Sequence, residues 1–184
     1  MSEKRETHAI EIAGLKRELT KFEVMPGVRI AILNILGDTE LVQASAKALA
    51  KQLKKIDYDV LVTAEAKSIP LIHALSVITK KPYVVLRKTY KPYMGEAIQA
   101  ETMSITTNKM QTLYLDSKDN ELVNGKKVMI VDDVISTGST QKAMRAVVEK
   151  AGAEIAGEAA ILTEGDPEKW EGILSLGNLP VWVD

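Results

Sequence analysis

Val128-Met129-Ile130-Val131-Asp132-Asp133-Val134-Ile135-Ser136-Thr137-Gly138-Ser139-Thr140 is the stretch that decides the fold of this chain. An apolar strand ends in two adjacent carboxylates. Small or hydroxylated residues, Ser136 to Thr140, then lead into a helical pattern at Gln141-Lys142-Ala143-Met144-Arg145. Backbone N–H groups, hydroxyls and a helix N-terminus offered together to one anion suit a phosphate. The acids beside them can accept hydrogen bonds from sugar hydroxyls or stabilise a cation. A phosphosugar or nucleotide site is the reading. The plainer alternative is a strand end, a turn and an N-cap, which favour the same residue types. The stretch is not a P-loop, because no Gly-Lys-Ser/Thr closes it, nor a dinucleotide fingerprint, because it holds a single glycine.

Outward from this stretch, the composition is that of an ordinary globular chain. Its 184 residues are most simply one domain, 1–184, long enough for a substantial core. The net charge of −1 gives no reason to expect nucleic acid or an acidic membrane as a partner. Without cysteine, disulfides, thiolate metal sites and Cys nucleophiles are excluded. The charged start, Met1 to Glu6, lacks the apolar core of a signal peptide. No apolar run approaches the ~18 residues of a membrane span. A cytoplasmic location is the expectation.

The element order alternates. Residues 3–20 read as an amphipathic helix with Ile10, Leu15 and Leu19 on one side. Val28 to Leu36 reads as a strand, and Asp38 or Thr39 caps a helix reaching Lys55. A strand at 59–63, a helix at 69–79 and a strand at 83–86 follow. Residues 89–110 read as a long loop with β character, returning as a strand at 111–115. Asn124-Gly125 turns the chain into the motif strand at 126–131. A helix to Lys150 and a strand from Glu154 to Leu162 complete the pattern. Continuous apolar strands alternating with helices imply an α/β fold, a mostly parallel sheet with helices on both faces. Ligands bind such sheets at the carboxyl ends of the strands. Segments after residues 63, 86 and 131 should therefore converge.

Two of those segments carry cations. Ala66-Lys67-Ser68 sits at a strand-to-helix turn, where a lysine and a serine can hold an anion or simply be solvated and cap the helix. Arg87, Lys88 and Lys91 follow the next strand. Bidentate Arg suits a pyrophosphate better than Lys does.

The 128–140 stretch resembles the phosphoribosyl-diphosphate (PRPP) motif of type I phosphoribosyltransferases: four apolar residues, two acids, two apolar residues, a small residue, then Thr-Gly-x-Thr. In that family Asp132 and Asp133 would hold the ribose 2- and 3-hydroxyls, and Ser136, Thr137, Gly138, Ser139 and Thr140 would wrap the 5-phosphate. Ala66, Lys67 and Ser68 match the pyrophosphate turn, which in the family often carries a non-proline cis peptide; whether Ala66–Lys67 is cis is not legible in the sequence. Arg87, Lys88 and Lys91 match the Arg-Lys-x-x-Lys that the adenine subgroup places on pyrophosphate. Pro26-Gly27-Val28 is similar to the opening of that subgroup's hood, and residues 104–109 fall where its mobile loop lies. The resemblance, nearest the adenine/purine subgroup, runs from about residue 20 to 163. It implies a small hood built from residues of about 1–36 and 163–184.

Departures from the pattern bear on the acceptor. Where adenine enzymes have an aromatic-Arg-Asp segment, this chain has Arg29-Ile30-Ala31-Ile32. Their mobile-loop glutamate aligns near Thr106 or Thr107, with Glu96 and Glu101 upstream. Trp170, Trp182, Tyr90, Tyr93 and Met94 are candidates to stack on a purine, or are packing residues. The resemblance implies transfer of ribose 5-phosphate from PRPP to a nucleobase, a purine first, by a homodimer. Mg²⁺ would be the cofactor, held mainly by PRPP with Asp132 or Asp133 as the protein oxygens near it. Lys109 would join the two acids as a catalytic residue from the mobile loop. The competing reading is a regulatory protein that binds PRPP without turnover. A ribose-phosphate kinase or phosphatase finds no nucleophile or nucleotide loop in the chain.

Overall fold

The computed structural model describes residues 6–103 and 110–183. In chain order it contains β1 (Thr7–Ile12), β2 (Leu15–Met25), β3 (Val28–Ala31), α1 (Thr39–Leu53), β4 (Val60–Ala64), α2 (Ile69–Thr79) and β5 (Tyr83–Leu86). Then come β6 (Ile98–Met103), β7 (Met110–Leu115), α3 (Asn120–Val123), β8 (Lys127–Ile135), α4 (Ser139–Lys150) and β9 (Glu154–Glu164). Short strands β10 (Ile173–Ser175), β11 (Asn178–Leu179) and β12 (Val181–Val183) close the described chain.

The central sheet has the order β10-β9-β8-β4-β5, with every neighbouring pair parallel. The motif strand β8 lies at its middle, between β9 and β4. Val128, Met129, Ile130 and Val131 are buried because both faces of the sheet are covered. Strand alternation divides them: Met129 and Val131 pack in a core with residues of α1 and α2, while Val128 and Ile130 pack with α4 and β7. Helices on both faces follow directly from that division.

A second sheet, antiparallel and ordered β1-β2-β3-β12, lies over the first core. Here the sequence reading needs correction, because residues 7–25 form a hairpin and not a helix. Ala13 and Gly14 both adopt left-handed φ, +51° and +82°, and such a two-residue turn matches the twist of a hairpin. Ile10, Ile12, Leu15 and Leu19 then face the core at strand spacing. β3 is also shorter than expected, ending at Ala31, although Leu33 and Ile35 beyond it stay buried. β8 runs longer than expected and includes both acids. Within the polar stretch after β5, β6 and β7 pair as an antiparallel hairpin, which an Arg87–Tyr114 bridge ties to the edge of the central sheet.

Candidate functional site

Asp132 and Asp133 sit near the carboxyl end of β8, where successive side chains leave opposite faces. Both are buried, 8% and 5% exposed, which makes their neighbours decisive. Asp132 turns toward α4, where its Oδ2 accepts the Gln141 side-chain N–H at 2.9 Å. Asp133 turns the other way, with its Oδ2 paired to the Lys67 ammonium at 3.0 Å. Between them stands the Ser68 hydroxyl, 2.7 Å from Asp132 Oδ1 and 3.1 Å from Asp133 Oδ1. The Asp133 backbone N–H donates to both Ser68 Oγ and Asp132 Oδ1, each at 2.9 Å. One hydroxyl proton thus serves two carboxylates. Burial first, and the charge of Asp133 second, push the Asp132 carboxyl up to about 7, against the opposing pull of the Ser68 hydroxyl.

Lys67 is held at the turn between β4 and α2, with its ammonium also 3.4 Å from the Leu33 carbonyl. A non-proline cis peptide does lie in this turn, at Glu65–Ala66, one bond before Ala66–Lys67, where the sequence left the question open. A cavity of about 220 Å³ is lined by Glu65, Ala66, Lys67, Ser68, Lys88, Asp132, Asp133 and Thr140, among others. Three strand ends converge there, as the parallel sheet requires.

Arg87 departs from expectation. Its Nε donates to Glu65 Oε2 at 2.6 Å, and the neighbouring Lys88 backbone N–H donates to Glu65 Oε1 at 2.6 Å. With its guanidinium tied to Glu65, Arg87 lines a separate cleft of about 470 Å³ beside Asp116, Lys118 and Asp119. Lys91 is exposed and does not line the 220 Å³ cavity. Lys109, with Thr106 and Thr107, lies outside the described residues. Glu96 and Glu101 are exposed, and Glu101 pairs in register with Thr112 on the β6-β7 hairpin.

The loop from Ser136 to Thr140 leads into α4 through Gly138, whose φ is +75° and whose position as N-cap brings no capping side chain. The N–H groups of the first turn are therefore oriented toward the loop without a side-chain cap. Ser136 gives its hydroxyl to Glu164 Oε1. Thr137 Oγ1 and Ser139 Oγ are 3.0 Å apart. Glu164, at the end of β9, is 6% exposed, and burial raises its carboxyl above the usual range. Trp170 donates its indole N–H to the Glu164 carbonyl at 2.8 Å. A β-carbon on Gly138 would lie 3.4 Å from the Trp170 ring. Gly138→Ala should accordingly lower stability by about 1 kcal/mol from the left-handed backbone alone. Thermal unfolding would report this, and an unchanged Tm would show that the loop relaxes.

Sequence reasoning missed Gln141, Glu65 and Glu164. Gln141 falls one residue past the recognised loop. Glu65 and Glu164 act through partners 22 and 28 residues away, which no local pattern encodes.

The phosphoribosyl transferase domain model matches residues 33–173. The hypoxanthine/guanine phosphoribosyltransferase of Methanotorris igneus is 36% identical over 130 residues, 71% of this chain and 67% of that one. The adenine phosphoribosyltransferase of Thermosipho africanus is 36% identical over 152 residues, 79% of this chain and 85% of that one. Matches to hypoxanthine/guanine relatives span from 54% to 67% of those proteins' own length. In fold, the chain is similar to the crystal structure of adenine phosphoribosyltransferase from Thermoanaerobacter pseudethanolicus. The TM-score is 0.66 at 22% identity, covering 94% of this chain and 95% of that one. The parallel sheet built around an acid-ended strand, and the matched residues that contain it, give one answer: the chain belongs to the phosphoribosyl transferase domain family, in its type I, purine-type branch.

Proposed function

We propose that this protein transfers ribose 5-phosphate from PRPP to a purine base and releases pyrophosphate. The observation that carries the reading is the 220 Å³ cavity in which Lys67, Ser68, Lys88, Asp132, Asp133 and Thr140 meet. Cations on one side suit a pyrophosphate, and two carboxylates suit the ribose diol. Thr140 and the start of α4 suit the 5-phosphate. The names of the relatives support a purine as acceptor without choosing among purines.

In this account Lys67 and Lys88 take up charge on the departing pyrophosphate. Asp132 and Asp133 accept the ribose hydroxyls and supply negative potential as positive charge develops at C1. Arg87 joins them only if Glu65 releases it. A purine nitrogen then bonds to C1 as the C1–O bond to pyrophosphate breaks. Mg²⁺ would be carried mainly by substrate oxygens, with Asp132 or Asp133 as the protein carboxylates that could hold it, Asp133 only once Lys67 yields its contact to Oδ2. It would neutralise pyrophosphate charge. Lys109 and Lys91 are proposed as further contacts to that charge. The outward face of the antiparallel sheet exposes Phe22, Met25, Val181 and Val183, and a homodimer would cover it. No helix among the described residues is long and apolar enough to cross a membrane. A cytoplasmic location is proposed, in keeping with a chain that contains no cysteine.

Incubation with PRPP, Mg²⁺ and each common purine and pyrimidine, with pyrophosphate release followed, tests the reading. Release is expected with at least one purine. PRPP binding without release for any base would move the assignment to the regulatory alternative.

A further inference from the structure

Behind the phosphate loop stands a brace that takes no part in the donor chemistry described above. Its base is Glu164 at the end of β9, whose carboxylate accepts the Ser136 hydroxyl and whose carbonyl accepts the Trp170 indole N–H at 2.8 Å. Its upper part is the Trp170 ring, which lies against Gly138 at the distance of ordinary van der Waals contact for an added β-carbon, 3.4 Å. Gly138 is the point of greatest backbone freedom in the loop, and it sits at φ +75°. The loop's own side-chain bonds are slight by comparison: Thr137 and Ser139 touch at 3.0 Å, and the Ser139 N–H reaches Thr137 Oγ1 only at 3.4 Å. Trp170 belongs to neither core cluster, and its ring borders a surface cleft of about 460 Å³ along α4. A tryptophan at such a place, anchored at one end by its N–H and with its ring beside a glycine at the other, holds the loop more than it fills a core.

We propose that Trp170 and Glu164 are positioning residues that preset the Ser136–Thr140 backbone for the 5-phosphate of the donor. The inference rests on the PRPP reading given above. Loop order present before binding does not have to be created during it, so the brace acts on donor affinity and not on the chemical step.

Trp170→Ala is expected to raise KM for PRPP about tenfold, with kcat at saturation changed less than about twofold and KM for the base unchanged. Trp170→Phe keeps a ring against Gly138 and loses the N–H, so it should recover most of the loss. Glu164→Ala removes the acceptor for Ser136 and should raise KM for PRPP in the same direction, and Glu164→Gln, which keeps an acceptor, should recover most of that loss. A second measurement does not depend on turnover. The chain has two tryptophans, so in a Trp182→Phe background the emission of Trp170 should shift as ribose 5-phosphate is added. If Trp170→Ala does not fold, Trp170→Phe and this titration decide the matter. A PRPP KM within twofold of the parent in Trp170→Ala, or emission indifferent to ribose 5-phosphate that calorimetry shows to be bound, overturns the brace. Absence of both turnover and ribose 5-phosphate binding in the parent chain would overturn the PRPP reading instead.

Discussion

Asp133→Asn is expected to lower kcat/KM about 10²- to 10³-fold, the range for losing one preorganised electrostatic contact to a transition state. The substitution conserves shape and removes charge where charge matters. Asp133 is buried, and its Oδ2 is offset by Lys67 3.0 Å away. A neutral amide there withdraws negative potential from the ribose just as C1 becomes cationic. It also leaves the Lys67 ammonium without its counter-charge, which disturbs the pyrophosphate side of the site. Initial rates of pyrophosphate release, with circular dichroism to verify the fold, provide the measurement. An unchanged kcat/KM would sink the catalytic role of the acid pair.

Asp132→Asn should instead be most visible in stability, as a gain. The folded-state carboxyl titrates near 7, above its ordinary value of 3.8, mainly because it is buried. Ionising it therefore costs more in the folded protein than in the unfolded chain. That cost is absent below the unfolded pKa, grows as the pH rises, and is complete above about 7. Asparagine never ionises, and Gln141 can turn its amide to meet the new N–H. A gain on the order of 2 kcal/mol is expected at pH 8, a Tm rise of roughly 4–8 °C for a chain of this size. At pH 4 the gain should vanish. Thermal melts of parent and variant across that range provide the check, and a pH-independent difference would show that the carboxyl is not the cause. Activity should fall in the same variant, since Asp132 is one of the two proposed ribose ligands.

These two acids also show how far the sequence could be read. Their strand, the following loop and α4 were legible because each signal is local: a run buried on both faces, then turn residues, then a helical stripe. α1 was legible for the same reason, with Asp38 accepting the Leu41 N–H at 3.1 Å as its cap. β1 and β2 were not. Ile10, Leu15 and Leu19 fit a helical spacing almost as well as a strand, and only the left-handed pair Ala13-Gly14 marked the hairpin. Arg87 was placed correctly at its strand end, but its direction depended on Glu65, 22 residues earlier. The brace of Glu164 and Trp170 had no motif at all. It exists only because β9 returns beside β8 and brings the next turn against Gly138.

The two sheets, finally, do not share a strand among the described residues. The acid pair, the Lys67 turn and the phosphate loop belong to the parallel ladder, while Arg29-Ile30-Ala31, where the chain departs from adenine enzymes, belongs to the antiparallel one. Substitutions accumulating in β1, β2, β3 and β12 leave untouched the backbone bonds that set Asp132 and Asp133. A molecule so built can vary its antiparallel sheet while the strand ends that carry the acid pair keep their geometry.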